Sequence, residues 1–205
     1  MTAEVHDEGM VKFTFDHGEG DLDAADLETE ISALSGWRER FRAAGVLGAS
    51  SDRYGGAAFG NLSARLTNRR FLITGTQSSS QSSFGARHVC IVEAFDLRCH
   101  WLRSFGPTRP SSGSLTHATL YALDEGIRFV FHVHCRAIWR NAERLGVPST
   151  PARVPYGSSE MVTVIRALYT SGALDKQQIL SMAGHQDGVL AFGPSAERAG
   201  GLVGW

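Results

Sequence analysis

The sequence predicts an α/β protein in which one mixed sheet is covered by helices. Three observations carry that expectation. Short apolar runs such as Phe71-Leu72-Ile73-Thr74 and Phe129-Val130-Phe131 have strand character. Stretches with a helical period, such as Ala24 to Ala44, are intermixed with them, and no internal repeat is visible. The strands are joined both by hairpin-like turns and by helices, which points to one mixed sheet rather than two segregated halves. At 205 residues the chain suffices for a single domain, residues 1–205, with a full core.

Taken in order, residues 1 to about 20 are rich in Gly, Asp, Glu and His and are expected to be loose. Within them Val11-Lys12-Phe13-Thr14-Phe15 alternates like an edge strand. From Ala24 to Ala44, Leu27, Ile31, Leu34 and Phe41 fall on one helical face, with Asp23 as cap and Gly45 as stop. Ser50 to Ala58 is a loop. Leu62, Ala64 and Leu66 alternate with polar residues in a strand that begins at Gly60-Asn61, and Phe71 to Thr74 forms the next. The serine-rich stretch Ser78 to Ser83 reads as a solvated flexible loop. Val89 to Val92 and Cys99 to Leu102 read as paired strands. Gly106-Pro107-Thr108-Arg109-Pro110 forces a rigid turn and delivers Ser111-Ser112-Gly113-Ser114 to a helix over about Leu115 to Leu123. Helices are expected over Arg136–Leu145, from Ser158 or Ser159 to about Tyr169, and from Pro194 toward Gly200. Two strands flank Asp187-Gly188.

Composition excludes several classes of function. A net charge of −1 gives no field that would draw nucleic acid or a membrane surface. No apolar run is long enough to span a bilayer. The stretch Met1 to His6 is acidic and polar, unlike a signal peptide. Cys90, Cys99 and Cys135 follow no disulfide or zinc-ribbon spacing, which suits reduced thiols and a cytoplasmic protein.

The residues with the most chemistry are His132 and His134. In a strand, residues i and i+2 point the same way, so their imidazoles converge. Two buried rings side by side need two sets of partners, and a metal ion supplies them. His185, in Gly184-His185-Gln186-Asp187-Gly188, is a third candidate, framed by two glycines that make a tight turn. Three histidines with one open position suit a catalytic metal better than a structural one. Cys135 faces the other side of the strand and reads as a buried thiol. The Ser111-Ser112-Gly113 turn at a helix N-terminus is suited to an anion, and ordinary helix capping by Ser112 or Ser114 is the plainer alternative.

These pieces, in this order, resemble the class II aldolase/adducin family over about residues 25 to 203. The motifs are Gly60-Asn61-Leu62-Ser63, Ile73-Thr74-Gly75-Thr76, Pro110-Ser111-Ser112, Thr116-His117, His132-Val133-His134 and Gly184-His185 followed by Gly188-Val189. The resemblance implies a three-layer α/β/α sandwich with a mixed, largely antiparallel central sheet, and often a homotetramer with sites between subunits. It implies His132, His134 and His185 as ligands of Zn2+ or another divalent transition metal. Asn61, Thr76, Gln77, Ser111, Ser112 and Gly113 then line the substrate site. The implied activity is that of a lyase of carbohydrate metabolism. Its substrate is a small hydroxy-carbonyl compound, phosphorylated or not, and it works through a metal-stabilised enediolate.

The chain departs from the family at a chemical position. The family's aldolases carry Glu, and its epimerases Asp, directly after Pro-Ser-Ser; here that residue is Gly113, nineteen positions before His132. Glycine cannot move a proton. His117 is the first candidate to replace it, one helical turn on, with Glu160 and Tyr156 as further candidates. Ala58 also replaces a usual phosphate-binding hydroxyl, and Gln77 a usual glycine. The alternatives are a degenerate member that serves as an interaction module, as adducin does, and a metal-dependent epimerase or decarboxylase.

Overall fold

The computed structural model describes residues 8–204. The expectation drawn from Met1 to His6, and the start of the loose stretch, fall outside the described residues. From Glu8 on, the chain is tied down. Phe13 turns into the core ahead of strand β1 (Thr14–Glu19), which therefore starts three residues later than the alternation suggests. Helix α1 (Glu28–Ala43) also starts late, and Asp23 does not cap it. Asp23 Oδ1 instead accepts from Ala25 N at 3.0 Å, closing a turn before the helix. Leu34, Trp37 and Phe41 are the buried stripe of α1.

The two-residue strands β2 (Gly48–Ala49) and β3 (Ala58–Phe59) pair with each other. Strands β4 (Asn61–Thr67) and β5 (Arg70–Thr74) form an antiparallel pair, as do β6 (Val89–Asp96) and β7 (Trp101–Gly106). The last strand begins at Trp101 rather than Cys99 because His100 takes a left-handed turn conformation. Helix α2 (Ser114–Leu123) and strand β8 (Phe129–His134) follow as expected. Helix α3 (Arg136–Arg140) is shorter than its pattern, and a short strand β9 (Ser149–Thr150) had no legible signal. Helix α4 (Ser159–Thr170) is capped by Ser158 Oγ, which accepts from Met161 N at 3.1 Å. Strands β10 (Ile179–Met182) and β11 (Gly188–Gly193) flank the His185 turn, and α5 (Ala196–Gly201) closes the chain.

The large sheet runs β1-β7-β6-β5-β4-β8-β11-β10-β9. Neighbours are antiparallel except at its two edges, where β1 joins β7 and β9 joins β10 in parallel. One face is covered by α2 and α4, through Leu115, Leu120, Met161 and Ile165 packed on Phe71, Val130 and Phe192. The other is covered by α1 and α5, with α3 beside them, through Leu34, Phe41 and Ala199 packed on Leu62, Phe131 and Val133. The fold is thus an α/β/α sandwich on a mixed, largely antiparallel sheet. Among the described residues no helix is long and apolar enough to cross a membrane.

The serine-rich stretch is not a solvated loop. Ser78 and Ser79 are buried, and Ser78–Ser80 form a 3-10 turn. Buried Arg38 donates to the carbonyls of Ser78, Ser79 and Gln81, which fixes that turn to α1. A second buried arginine sets α2. Arg65 donates to the carbonyls of Tyr121 (2.7 Å) and Asp124 (2.8 Å) at the end of that helix, to Ile127 O (2.7 Å) and to Asn68 O. These carbonyls have no intrahelical partner, and a cation there complements the helix dipole. Arg65→Leu strands them and is expected to cost about 2–3 kcal/mol in urea denaturation at unchanged slope. A loss within error of zero would mean that Arg65 does not hold the helix end.

Candidate functional site

The site grows from β8. Because side chains alternate along a strand, Val130, His132 and His134 share the α2/α4 face, while Phe131, Val133 and Cys135 belong to the opposite core. β8 is paired on both sides, with Asn61 of β4 opposite His132 and Leu190 of β11 on its other flank. The ring nitrogens of His132, His134 and His185 lie within 4.8 Å of one another. All three rings are buried.

His185 is brought in by the turn between β10 and β11. Its amide donates to Met182 O and its carbonyl accepts from Gly188 N, each at 2.9 Å. Gly184 is required by close approach: a Cβ there would stand 2.2 Å from Val154 O. Asp187 (φ +62) holds the far side of the turn. It accepts from Tyr54 Oη at 2.8 Å and Arg53 at 3.4 Å, and Arg136 lies 3.5 Å away. Burial, then the bond to Asp187, raises the Tyr54 phenol well above its usual range, so it stays a neutral donor. Arg53 also donates to His134 O at 3.1 Å. Nothing in the sequence pattern marks Arg53, Tyr54 and Asp187 as supports of the histidines, because these contacts span more than eighty residues.

The electrostatics favour neutral imidazoles. Burial, then the neighbouring His185, holds His132 and His134 well below the ordinary histidine value. His132 Nδ1 lies 3.1 Å from Val189 O, and a carbonyl only accepts, so Nδ1 carries the proton and Nε2 keeps its lone pair. His132 Nε2 and both His134 nitrogens have no hydrogen-bond partner among the described residues. Such orphans are costly in a core unless a ligand takes them. Neutral imidazoles with free lone pairs, one of them oriented by a backbone carbonyl, fit a divalent metal.

Facing the histidines is the turn before α2. Ser111, Ser112 and Gly113 lead into the helix; no side chain caps it, so the capping alternative does not hold. Ser114 Oγ donates to Ser111 O, and Ser111 Oγ is buried without a partner. Asn61, Ser112, Gly113, Thr116, His117, His132, Tyr156, Met182 and His185 line a cavity of about 10 Å³, room for roughly one water. Thr76 and Gln77 do not reach it. Thr76 N donates to Arg109 O, supporting the turn from behind, and Gln77 Oε1 accepts from Ala58 N at 3.2 Å. Glu160 does not reach it either: it is exposed on α4, 3.9 Å from Arg153. The Tyr156 ring stacks on His185 at 4.5 Å, and its hydroxyl bonds the backbone of Met10. His117 lines the cavity with Nε2, while Nδ1 lies 2.7 Å from Ser63 Oγ, itself 2.8 Å from Tyr121 Oη. Burial pushes His117 down to about 3, so it too is neutral.

One residue from the stretch expected to be loose enters this site. Glu8 Oε2 lies 2.7 Å from His185 Nε2, and Oε1 lies 3.7 Å from His134 Nε2.

Residues 49–203 match the family described as Class II Aldolase and Adducin N-terminal domain. Solved structures with this fold include YgbL from Klebsiella pneumoniae, whose activity is given only as aldolase/epimerase/decarboxylase. It superposes with a TM-score of 0.64 at 16% identity, over 85% of this chain and 84% of that one. YgbL from Escherichia coli gives 0.57 at 21% identity, over 86% and 84%. No curated protein matches the chain.

The neutral histidines make stability depend on pH. The folded value lies below the unfolded one of about 6.5, so the unfolded chain takes up protons first as pH falls. Stability is complete above that value and is lost below it, at up to about 1.4 kcal/mol per pH unit for each such histidine. Urea unfolding of chelator-treated protein between pH 7.5 and 4.5 is expected to show this decline, in a window above the carboxylates. A flat profile would contradict neutral burial.

Proposed function

Since the chain belongs to the class II aldolase and adducin N-terminal domain family, we propose that it is a metal-dependent, lyase-type enzyme acting on a small hydroxy-carbonyl compound. The observation that supports this most is the group of three buried imidazoles whose ring nitrogens converge, two of them, His132 and His134, held neutral by burial with ring nitrogens unpartnered among the described residues. His132, His134 and His185 would hold the ion, zinc or another divalent metal that accepts imidazole. Bound there, such an ion polarises hydroxyl and carbonyl oxygens and stabilises the negative charge that develops when an adjacent C–C or C–H bond breaks.

The chain's own residues do the rest. Asn61 lines the cavity from beside His132 on the sheet and Ser112 from the turn before α2, and the Ser111-Ser112-Gly113 turn brings the N-terminal end of α2 to the cavity. Partial positive charge and hydroxyl donors there suit the anionic tail of a substrate, phosphate or carboxylate. A tail fixed at one wall and oxygens fixed at the other orient the reacting bond. His117 Nε2 faces the same space and is the group we assign to proton transfer or to hydrogen bonding of a substrate oxygen. Burial keeps it neutral, which leaves Nε2 able to hydrogen-bond a substrate oxygen and makes it a weak base until a bound group changes its surroundings. Glu160 has no part, since it points to solvent. Tyr156 serves the site by packing on His185.

The test is elemental analysis of protein purified without an affinity tag. About one equivalent of a divalent transition metal is expected. His132→Ala and His134→Ala should each lower the content to near zero. Full metal content in either variant would remove that residue from the ligand set. Protein that neither contains nor takes up metal would replace this reading with that of an interaction module.

A further inference from the structure

The chain has lost the acidic residue that the resemblance places after Pro110-Ser111-Ser112, and the cavity is built around that loss. A Cβ on Gly113 would stand 2.4 Å from Asn61 Oδ1 and 3.0 Å from Asn61 Nδ2. The Asn61 carboxamide therefore fills the space where a side chain from position 113 would begin. No carboxylate can come from α2 without moving Asn61. A carboxylate nevertheless stands at the histidines, and it comes from the other end of the chain.

We propose that Glu8 is the carboxylate ligand of this centre, delivered by the N-terminal segment in place of the residue missing at position 113. The proposal rests on the three-histidine metal site put forward above. Glu8 has one oxygen 2.7 Å from His185 Nε2 and the other 3.7 Å from His134 Nε2, and its side chain is only 10% exposed. Nitrogen and oxygen ligands of a tetrahedral ion with bonds of about 2.0–2.2 Å stand about 3.3–3.5 Å from each other. The separation from His134 Nε2 is close to that value, and the one from His185 Nε2 is a hydrogen-bond distance that places the carboxylate at the same centre. A nearly buried carboxylate among imidazoles also needs a compensating positive charge, and a divalent ion supplies it.

The segment is seated by specific contacts. Phe13 anchors it in the core. Met10 N and O both bond the Tyr156 hydroxyl, at 3.2 and 3.3 Å. The Lys12 ammonium lies 3.9 Å from the centroid of the Tyr156 ring. Gly9 (φ +77) makes the turn that brings Glu8 inward, and a Cβ there would stand 2.6 Å from Gln77 Nε2. Gln77 in turn accepts from Ala58 N. Gln77 and Ala58 are two further departures from the family pattern, and both lie under this segment. Together with Gly113 they describe one change: the acidic ligand has moved from α2 to the N-terminal segment, and the bed for that segment has been remade.

The experiment uses Co2+ added to metal-free full-length protein, read by the visible spectrum, which reports ligand number and type, and by titration for affinity. Wild type, Glu8→Gln, Glu8→Asp and His132→Ala are compared, with thermal melts of the metal-free forms to confirm folding. Glu8→Gln is expected to melt like wild type, bind Co2+ at least about tenfold more weakly and show a shifted spectrum. Glu8→Asp should recover part of the affinity, and His132→Ala should lose binding. If Glu8→Gln matches wild type in affinity and spectrum while His132→Ala loses the metal, the Glu8 assignment is wrong and the three-histidine site stands. If wild type binds no Co2+, both fall.

Discussion

The site depends on the alternation of side chains along β8 in the middle of a sheet. Pairing with β4 and β11 locks the register of β8, and a shift by one residue would send both histidines into the α1/α5 core. With the register fixed, two rings project together into the α2/α4 layer, where both are buried. That arrangement is costly as bare packing, because it leaves ring nitrogens without partners. The surroundings show how the cost is managed. Val189 O takes the only proton that His132 has to give, and Asp187 fixes the turn that carries His185. What remains are unpartnered nitrogens on His132 and His134 beside the His185 ring, a donor set of the kind that takes a divalent cation.

Proton transfer is the harder question for this chain, because Gly113 at the cavity wall has no side chain to carry a proton. Two groups now meet at the cavity in different roles. His117 is neutral, fixed by Ser63 and open at Nε2. Glu8 is anionic chemistry on a segment rather than on a helix, and it contacts two of the three histidines. A carboxylate on the first turn of α2 would be held by the helix; the segment that carries Glu8 is held by contacts that include Phe13 in the core, the Tyr156 bonds and the Lys12 ring contact.

Much of the architecture was legible. Periods of two and of 3.6 located the principal strands and helices, and the spacing of His132 and His134 placed both on one face before any coordinates were known. The misses have physical reasons. Ser78 to Ser83 looked solvated because hydroxyls usually are, yet Arg38, forty residues earlier, supplies the donors that bury two of those serines. Asp23 had the right chemistry for a cap but closes its own turn instead. Thr76 and Gln77 were carried into the site by motif, whereas the backbone there props the Arg109 turn from outside. Glu8 carried no local signal at all: a polar residue near a terminus is normally free, and its partner lies 177 positions away. Contacts of that range cannot be read from periodicity or spacing.

The size of the cavity joins these points. At about 10 Å³ it holds roughly one water, so a substrate of several heavy atoms does not fit while Glu8 is seated. The segment from Glu8 to Lys12 packs on Tyr156 and His185 behind the cavity wall, whereas β8, the His185 turn and α2 are each held by buried bonds. The segment's attachments include the charged contacts of Glu8 with His185 and His134, two bonds through the Tyr156 hydroxyl and one ammonium–ring contact. At about 0.5–1.5 kcal/mol for a neutral bond and somewhat more for the charged one, lifting it costs a few kcal/mol. A small ligand that binds with millimolar affinity supplies about 4 kcal/mol, which is comparable. Entry by displacement of the segment is therefore within the reach of an ordinary substrate's binding energy. Opening by separation of α2 from the sheet is not, because it would expose the apolar contacts of Leu115, Leu120 and Tyr121 as well.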